Sequence, residues 1–303
     1  MILEYLVLPS DDGKRAVDIL CSSTGMSRLL AKKVRLYGSL LVDGVPARMI
    51  DPVRAGQTIR ATFGKESNGC RLLPVDGVEV LYADDWIVVV HKPPGMVTHP
   101  TYLHGTDGLT TRLSPDPLHP VNRLDRDTSG LVVLAVNGHA HHVLIRSAME
   151  KRYIGIVHGV FDPPAGRIDA PIGRFPDSIM ERIVVSSGSG QEAATRYETV
   201  RILAGGCSVV RFRLETGRTH QIRVHCRHAG HALVGDSLYP DRKGHDGRWN
   251  PDWLDRTIGR QALHASETIL IHPRTRQEMS FYAGLPEDMT RLIRLADLPP
   301  ASV

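Results

Sequence analysis

The chain has 303 residues, of which 42% are hydrophobic and 23% charged, with Gly 28 and Pro 20. This is the make-up of an ordinary turn-rich globular protein with length for about two average domains, which excludes a disordered chain, a collagen repeat and a coiled coil. Its 37 basic and 33 acidic residues leave a net charge of +4, too small to set the function class by itself.

Only seven of the basic residues are Lys, against 30 Arg. Arginine presents a planar fork of donors that suits phosphate and stacks on bases. Nucleic-acid binding and a GC-rich genome account for this bias equally well. No run approaches the ~20 apolar residues of a membrane helix, and Glu4 stands where a signal peptide would be basic. A cytoplasmic location with no membrane partner is therefore expected. Cys21, Cys70, Cys207 and Cys226 form no C-x-x-C pair, so buried thiols are expected rather than disulfides or a cysteine-rich zinc site.

In chain order, 15–20 and 27–36 have helical spacing, and 40–45 with 57–62 reads as a hairpin or a pair of strands. The second helix carries Arg28, Lys32, Lys33 and Arg35 with no acid among them, while Leu29, Leu30, Val34 and Leu36 can face a core. A solvated helix face is the plain explanation; phosphate contact is the other. The polar segment 64–69 reads as a linker. Beyond it, 78–82 and 86–90 are β-branched runs around Asp84-Asp85, and 92–95 stops the second. Strands are expected again at 131–136, 153–157 and 208–214, helices at 139–151 and 220–229, and a hairpin tip at 186–190. The order lacks strict strand-helix alternation, so an α+β fold with a largely antiparallel mixed sheet is expected.

Two segments carry candidate chemistry. Asn122-Arg-Leu-Asp-Arg-Asp-Thr-Ser-Gly130 places charges at the entrance of an apolar strand, where they are costly unless paired or used. Thr216-Gly-Arg-Thr-His-Gln-Ile-Arg223 opens a helix on which a guanidinium could meet Asp125. These two segments resemble signature blocks of the RluA family of RNA pseudouridine synthases. Residues 82–100, Lys151-Arg-Tyr153, Ala194-Thr-Arg-Tyr197, Gly235-Asp-Ser-Leu-Tyr239 and Leu263-His-Ala265 resemble further landmarks in the same order. Many members have His immediately before Arg-Leu-Asp, where this chain has Asn122.

The resemblance implies a pseudouridine synthase domain over residues 78–295, with Asp125 as the essential carboxylate, Arg223 as its partner and Tyr153 packed against the target base. It makes Arg123 the residue that fills the place of the extruded nucleotide. A carboxylate there can attack the sugar or the base, or remove a sugar proton, and all three routes stay open. Residues 1–65 resemble, more loosely, the alpha-L RNA-binding module, with 66–77 as linker. The implied partner is RNA, ribosomal in preference to transfer RNA, and the chain is expected to be a monomer. The isomerisation demands no cofactor. Two histidine groups, His139/His141/His142 and His225/His228/His231, lack an H-E-x-x-H arrangement, so no metal site is expected. A binding protein that keeps the fold without catalysis is the competing class.

Overall fold

The computed structural model describes residues 2–63, 70–100, 107–176, 178, 180–186, 188–241 and 250–298. The expected linker at 64–69, residues 66–69 of the 66–77 span included, lies outside the described residues, as does Ser187 of the expected hairpin tip.

The amino-terminal unit contains β1 (Ile2–Leu6), α1 (Ala16–Ser23), α2 (Arg28–Tyr37), β2 (Gly38–Val42), β3 (Val45–Pro46) and β4 (Thr58–Phe63). Its strands form an antiparallel sheet in the order β1-β4-β2-β3. The tight β2–β3 hairpin turns through Asp43 and Gly44, with φ of 50° and 80°, the left-handed pair a two-residue hairpin favours. β1 was not anticipated, because Ile2-Leu-Glu-Tyr-Leu6 lacks clean alternation; its pairing with β4 holds it in place. The Ser27 hydroxyl accepts from Leu30 N at 3.1 Å and caps α2. α2 buries a narrower stripe than its spacing suggested: Ala31 and Val34 are buried, whereas Leu29 and Leu36 are 66% and 52% exposed beside the four basic residues.

The remainder contains β5 (Glu79–Ala83), β6 (Ile87–Lys92), α3 (Leu109–Leu113), β7 (His119–Pro120), β8 (Ser129–Ala135), α4 (Gly138–Leu144) and β9 (Glu150–His158). β10 (Ala165–Asp169), β11 (Ile172–Arg174), β12 (Arg182–Val184), β13 (Ala194–Leu203), β14 (Cys207–Leu214) and α5 (Gln221–His228) follow. The chain continues with α6 (Trp253–Ile258), β15 (Leu263–Ile271), β16 (Glu278–Tyr282) and α7 (Glu287–Ala296). The main sheet has ten strands in the order β10-β13-β14-β9-β15-β8-β6-β5, with β16 on β15 and β7 on β8. Its described pairings are antiparallel except β15–β8. The α+β class is as the sequence indicated.

The two faces of β6 and β8 set the layers. Ile87, Val89, Leu131 and Val133 join Ile19, Leu20 and Ile59 of the amino-terminal unit in one apolar cluster. Val88, Val90, Val132 and Leu134 face the other way, toward Leu109, Tyr153 and Ile222. Residues 70–77 run without regular structure, but Leu72 and Val75 pack on that second cluster and Leu73 N donates to Leu113 O at 2.8 Å. The helix expected at 139–151 ends at Leu144, where the Ser147 hydroxyl donates to the carbonyls of Val143 and Leu144, and β9 begins at Glu150. Cys207 and Cys226 are buried as expected, but Cys21 and Cys70 are only half-buried. No described helix is long and apolar enough to cross a membrane.

Candidate active site

Asp125 lies on the loop between β7 and β8, and three separate contacts fix that loop. Asn122 donates to Leu131 O and accepts from Val133 N, at 3.0 and 2.8 Å, so it clips the loop base to β8. The Thr98 hydroxyl both donates to Leu124 O and accepts from Leu124 N, at 3.0 and 3.1 Å. Lys92, fully buried, donates to the carbonyls of Pro93, Met96 and Arg126 at 2.8, 2.8 and 3.0 Å. Three acceptors match the three N–H bonds of an ammonium. Burial pushes the Lys92 pKa down to about 7, while the charges of Asp127 and Asp125 act to raise it.

Gln221 places the facing element. Its side chain accepts from the Thr216 hydroxyl and Arg218 N and donates to Ala194 O and the Thr195 hydroxyl, tying the start of α5 to β13. Two residues on, Arg223 donates through Nη1 to Asp125 Oδ2 at 2.9 Å. Its Nε and Nη2 donate to the two oxygens of Asp236 at 2.7 and 2.8 Å. Both edges of the guanidinium are thus occupied by carboxylates, and its centre sits 5.0 Å from the Tyr239 ring centroid. Burial alone would lower the Arg223 pKa, but Asp236 first and Asp125 second more than offset it, so the net shift is upward.

His220 does not sit within the helix, as the spacing suggested, but just before it, with a left-handed φ of 57°. Its Nε2 is 3.8 Å from Asp125 Oδ1 and its Nδ1 is 2.7 Å from the Tyr239 hydroxyl. Burial pushes the Tyr239 phenol up to about 12, so it carries its proton. That hydroxyl accepts from Arg182 N at 2.9 Å, which leaves its own hydrogen for His220 Nδ1. Burial also lowers the His220 pKa. When the Tyr239 hydroxyl donates to Nδ1, the matching neutral tautomer has its hydrogen on Nε2, the nitrogen nearest Asp125.

Arg123, Asp125, Tyr153, Arg218, His220 and Arg223 converge on an open cleft of about 430 Å³. Tyr153 is buried at its wall, and burial, with the charge of Asp125 adding, raises its phenol well above the ordinary value. Arg123 is exposed at the cleft, and no described side chain pairs with it. The structure therefore brings Asp125, Tyr153, Arg223 and Arg123 together. It places Arg28, Lys32, Lys33 and Arg35 elsewhere, on the exposed side of α2. Sequence reading missed Asp236, Tyr239, His220 and Lys92 as site residues, although Gly235-Asp-Ser-Leu-Tyr239 and the lysine before Pro93-Pro-Gly95 had been noted for other reasons.

Neither histidine group forms a ligand set among the described residues. His225 is bonded to the Thr195 hydroxyl and Ala170 O, and His231 to His158 O. The described group with metal-ligand proximity is His158, Asp252 and Asp255. There Asp252 caps α6 and Asp255 accepts from His158 and Gly235 N, which are structural duties.

Residues 86–228 match the sequence profile described as RNA pseudouridylate synthase. An uncharacterised RNA pseudouridine synthase of Bacillus subtilis is 35% identical over 285 residues, covering 89% of this chain and 95% of that protein. The ribosomal large subunit pseudouridine synthase D of Pseudomonas aeruginosa is 36% identical over 278 residues, covering 85% and 84%. Among solved structures, human RNA pseudouridylate synthase domain containing 4 superposes with a TM-score of 0.54 at 24% identity, over 73% of this chain and 94% of that one. That likeness concerns the fold.

Proposed function

The chain belongs to the RluA family of RNA pseudouridine synthases, enzymes that isomerise uridine to pseudouridine within RNA, and from that premise we propose that Asp125 is its catalytic carboxylate and large-subunit ribosomal RNA its substrate. The reaction breaks the bond from the ribose C1′ to N1 of uracil and joins C1′ to C5. The C5 proton leaves and N1 gains one, so no electrons are exchanged with an external partner. The observation that carries the reading is the single Nη1–Oδ2 contact at 2.9 Å, which turns an Asp125 oxygen to Arg223 and leaves the carboxylate partly open to the cleft. Attack or proton removal requires a carboxylate oxygen held toward the substrate, and the Arg223 contact fixes how Asp125 is turned.

In this reading the target nucleotide leaves its stack, Arg123 takes the vacated position, and the Tyr153 ring packs on the uracil. Flipping costs a few kcal/mol and stacking on an aromatic ring returns about 1–3 kcal/mol. The ribosomal target is supported by the relative named for the large subunit and by the exposed basic residues Arg28, Lys32, Lys33 and Arg35 on α2, with which no described carboxylate pairs. Residues 1–65 serve, in the same reading, as an RNA-binding module, and residues 78–295 as the catalytic domain.

The experiment is tritium release from RNA labelled at C5 of uridine, under single-turnover conditions. Asp125→Asn is nearly isosteric, so RNA affinity is expected to persist while turnover becomes undetectable. Substantial product from Asp125→Asn would remove Asp125 from its role. Transcripts of large-subunit ribosomal RNA and of transfer RNA, offered separately, decide the substrate.

A further inference from the structure

A groove of about 690 Å³ runs along the seam between the amino-terminal unit and the end of α4, on the face of the main sheet opposite Tyr153. Gly25, Met26, Ser27 and Arg28 form one wall; His142, Val143, Arg146 and Ser147, at the end of α4, form the other. Arg276, from the turn between β15 and β16, closes one side. Arg28, Arg146 and Arg276 are all exposed, and no described carboxylate pairs with any of them. Asp18, whose charge reaches Arg28, is already held by Arg15 at 2.7 Å. Arg146 donates instead to His142 Nε2 at 3.2 Å, a ring that brings no negative charge. Arg276 is rooted in a left-handed conformation with φ of 63°, and its N–H donates to His272 O at 3.0 Å. A non-glycine residue held there is one whose position the surroundings enforce.

Three guanidinium groups facing one groove without an acid among them repel each other, and an anion removes that cost. The groove also has continuations in both directions. Along α2, Lys32 and Arg35 follow Arg28 at four and seven residues, on one helix face. Along α4, His141 meets the His119 ring at 5.8 Å between centroids, and the next residue, Pro120, lines the cleft of Asp125. A polyanion of extended length fits this continuity better than an isolated ion does.

Resting on the assignment of RNA as substrate, we propose that this groove binds the phosphodiester backbone of the same RNA, with Arg146 and Arg276 of the sheet unit and Arg28 of the amino-terminal unit as the phosphate contacts. RNA seated there bridges the two units across their seam, so the flanking strand is gripped at a distance from the uridine that reacts.

The test uses the full chain, a fluorescein-labelled RNA hairpin and fluorescence anisotropy across a salt series. Arg146→Ala and Arg276→Ala are each expected to weaken binding several-fold and to flatten the slope of log affinity against log salt by about 0.7–0.9. Arg294→Ala, on the exposed side of α7, is the control and should leave both nearly unchanged. The single-turnover rate of Arg294→Ala at saturating enzyme should match that of the unsubstituted protein. Unchanged affinity and slope in the groove variants would overturn the proposal. So would an equal loss in Arg294→Ala, which reports net charge only, or displacement of the hairpin by polyglutamate at an equal concentration of charge. Failure of the synthase reading shows up separately, as no tritium release by the unsubstituted chain.

Discussion

Asp125 and Arg223 are 98 residues apart in sequence, yet the geometry that joins them depends on a third residue. Asp236 holds two of the three nitrogens of Arg223, which leaves Nη1 to meet Asp125 in one orientation. Asp236→Asn keeps the shape but can accept on only one atom, so Arg223 gains freedom to pivot. The single-turnover rate is expected to fall by about 10- to 100-fold with RNA affinity within about twofold, because misplacement acts on the reacting geometry. A rate equal to that of the unsubstituted protein would show that Asp125 and the helix orient Arg223 unaided. His220 gives a second expectation from its hydrogen on Nε2. Glutamine places an amide N–H near the Nε2 position and asparagine places one near Nδ1. His220→Gln should therefore retain more activity than His220→Asn in the tritium assay; equal losses would mean that the facing N–H has no part in the reaction. Asp125, Arg223 and Tyr153 were legible because each stands in a dense, characteristic segment. Asp236 and His220 were not, since a lone Asp in a turn and a His read as the first residue of a helix carry no site signal until the fold brings them to Arg223.

The elements that carry the site depend on close backbone approach where β8 starts. Gly130 has φ of 118°, and a Cβ there would overlap the backbone of Ala265 on β15. Gly130→Ala should lower the urea midpoint by an amount equivalent to at least about 1–3 kcal/mol, since strain and overlap act together. An unaltered midpoint would mean that β8 and β15 can part without loss. Sequence reading located β6, β8, β9 and β14 from their apolar, β-branched runs, and α2 and α5 from their helical spacing. It overran α4, because Ile145 to Met149 continue a helical pattern that Ser147 terminates by capturing two carbonyls. It also left Leu29 and Leu36 in a core they do not reach, for spacing alone does not tell how wide a stripe the neighbouring sheet can cover.

Over the whole molecule, two buried histidines tie stability to pH. His264 is bonded to the Ser129 hydroxyl and Ala283 O, and burial pushes its pKa from 6.5 down to about 4. His139 lies against Trp86, and burial again pushes it from 6.5 to about 4, against a smaller upward pull from the Thr24 backbone. Below 6.5 the unfolded chain takes up protons that the folded chain refuses. Their contribution is therefore whole above about 6.5 and is lost as pH falls through about 4. Urea midpoints at pH 7, 5.5 and 4.5 should decline, and the decline should be shallower in His139→Phe, which keeps the ring packing on Trp86. An equally steep decline in that variant would assign the acid sensitivity to other groups.

β15 lies between β9 and β8, so the two halves of the main sheet meet through a strand that begins 40 residues after Arg223. During synthesis the chain emerges amino terminus first. Asp125, ahead of β8, and Tyr153, on β9, leave the ribosome while the strand that sets their spacing is still unmade. Nascent chains therefore carry these proposed site residues without the distance that brings them together. Modification of RNA is therefore expected only after β15 has emerged, and a chain stopped before residue 263 would hold the signature segments without the strand that spaces them.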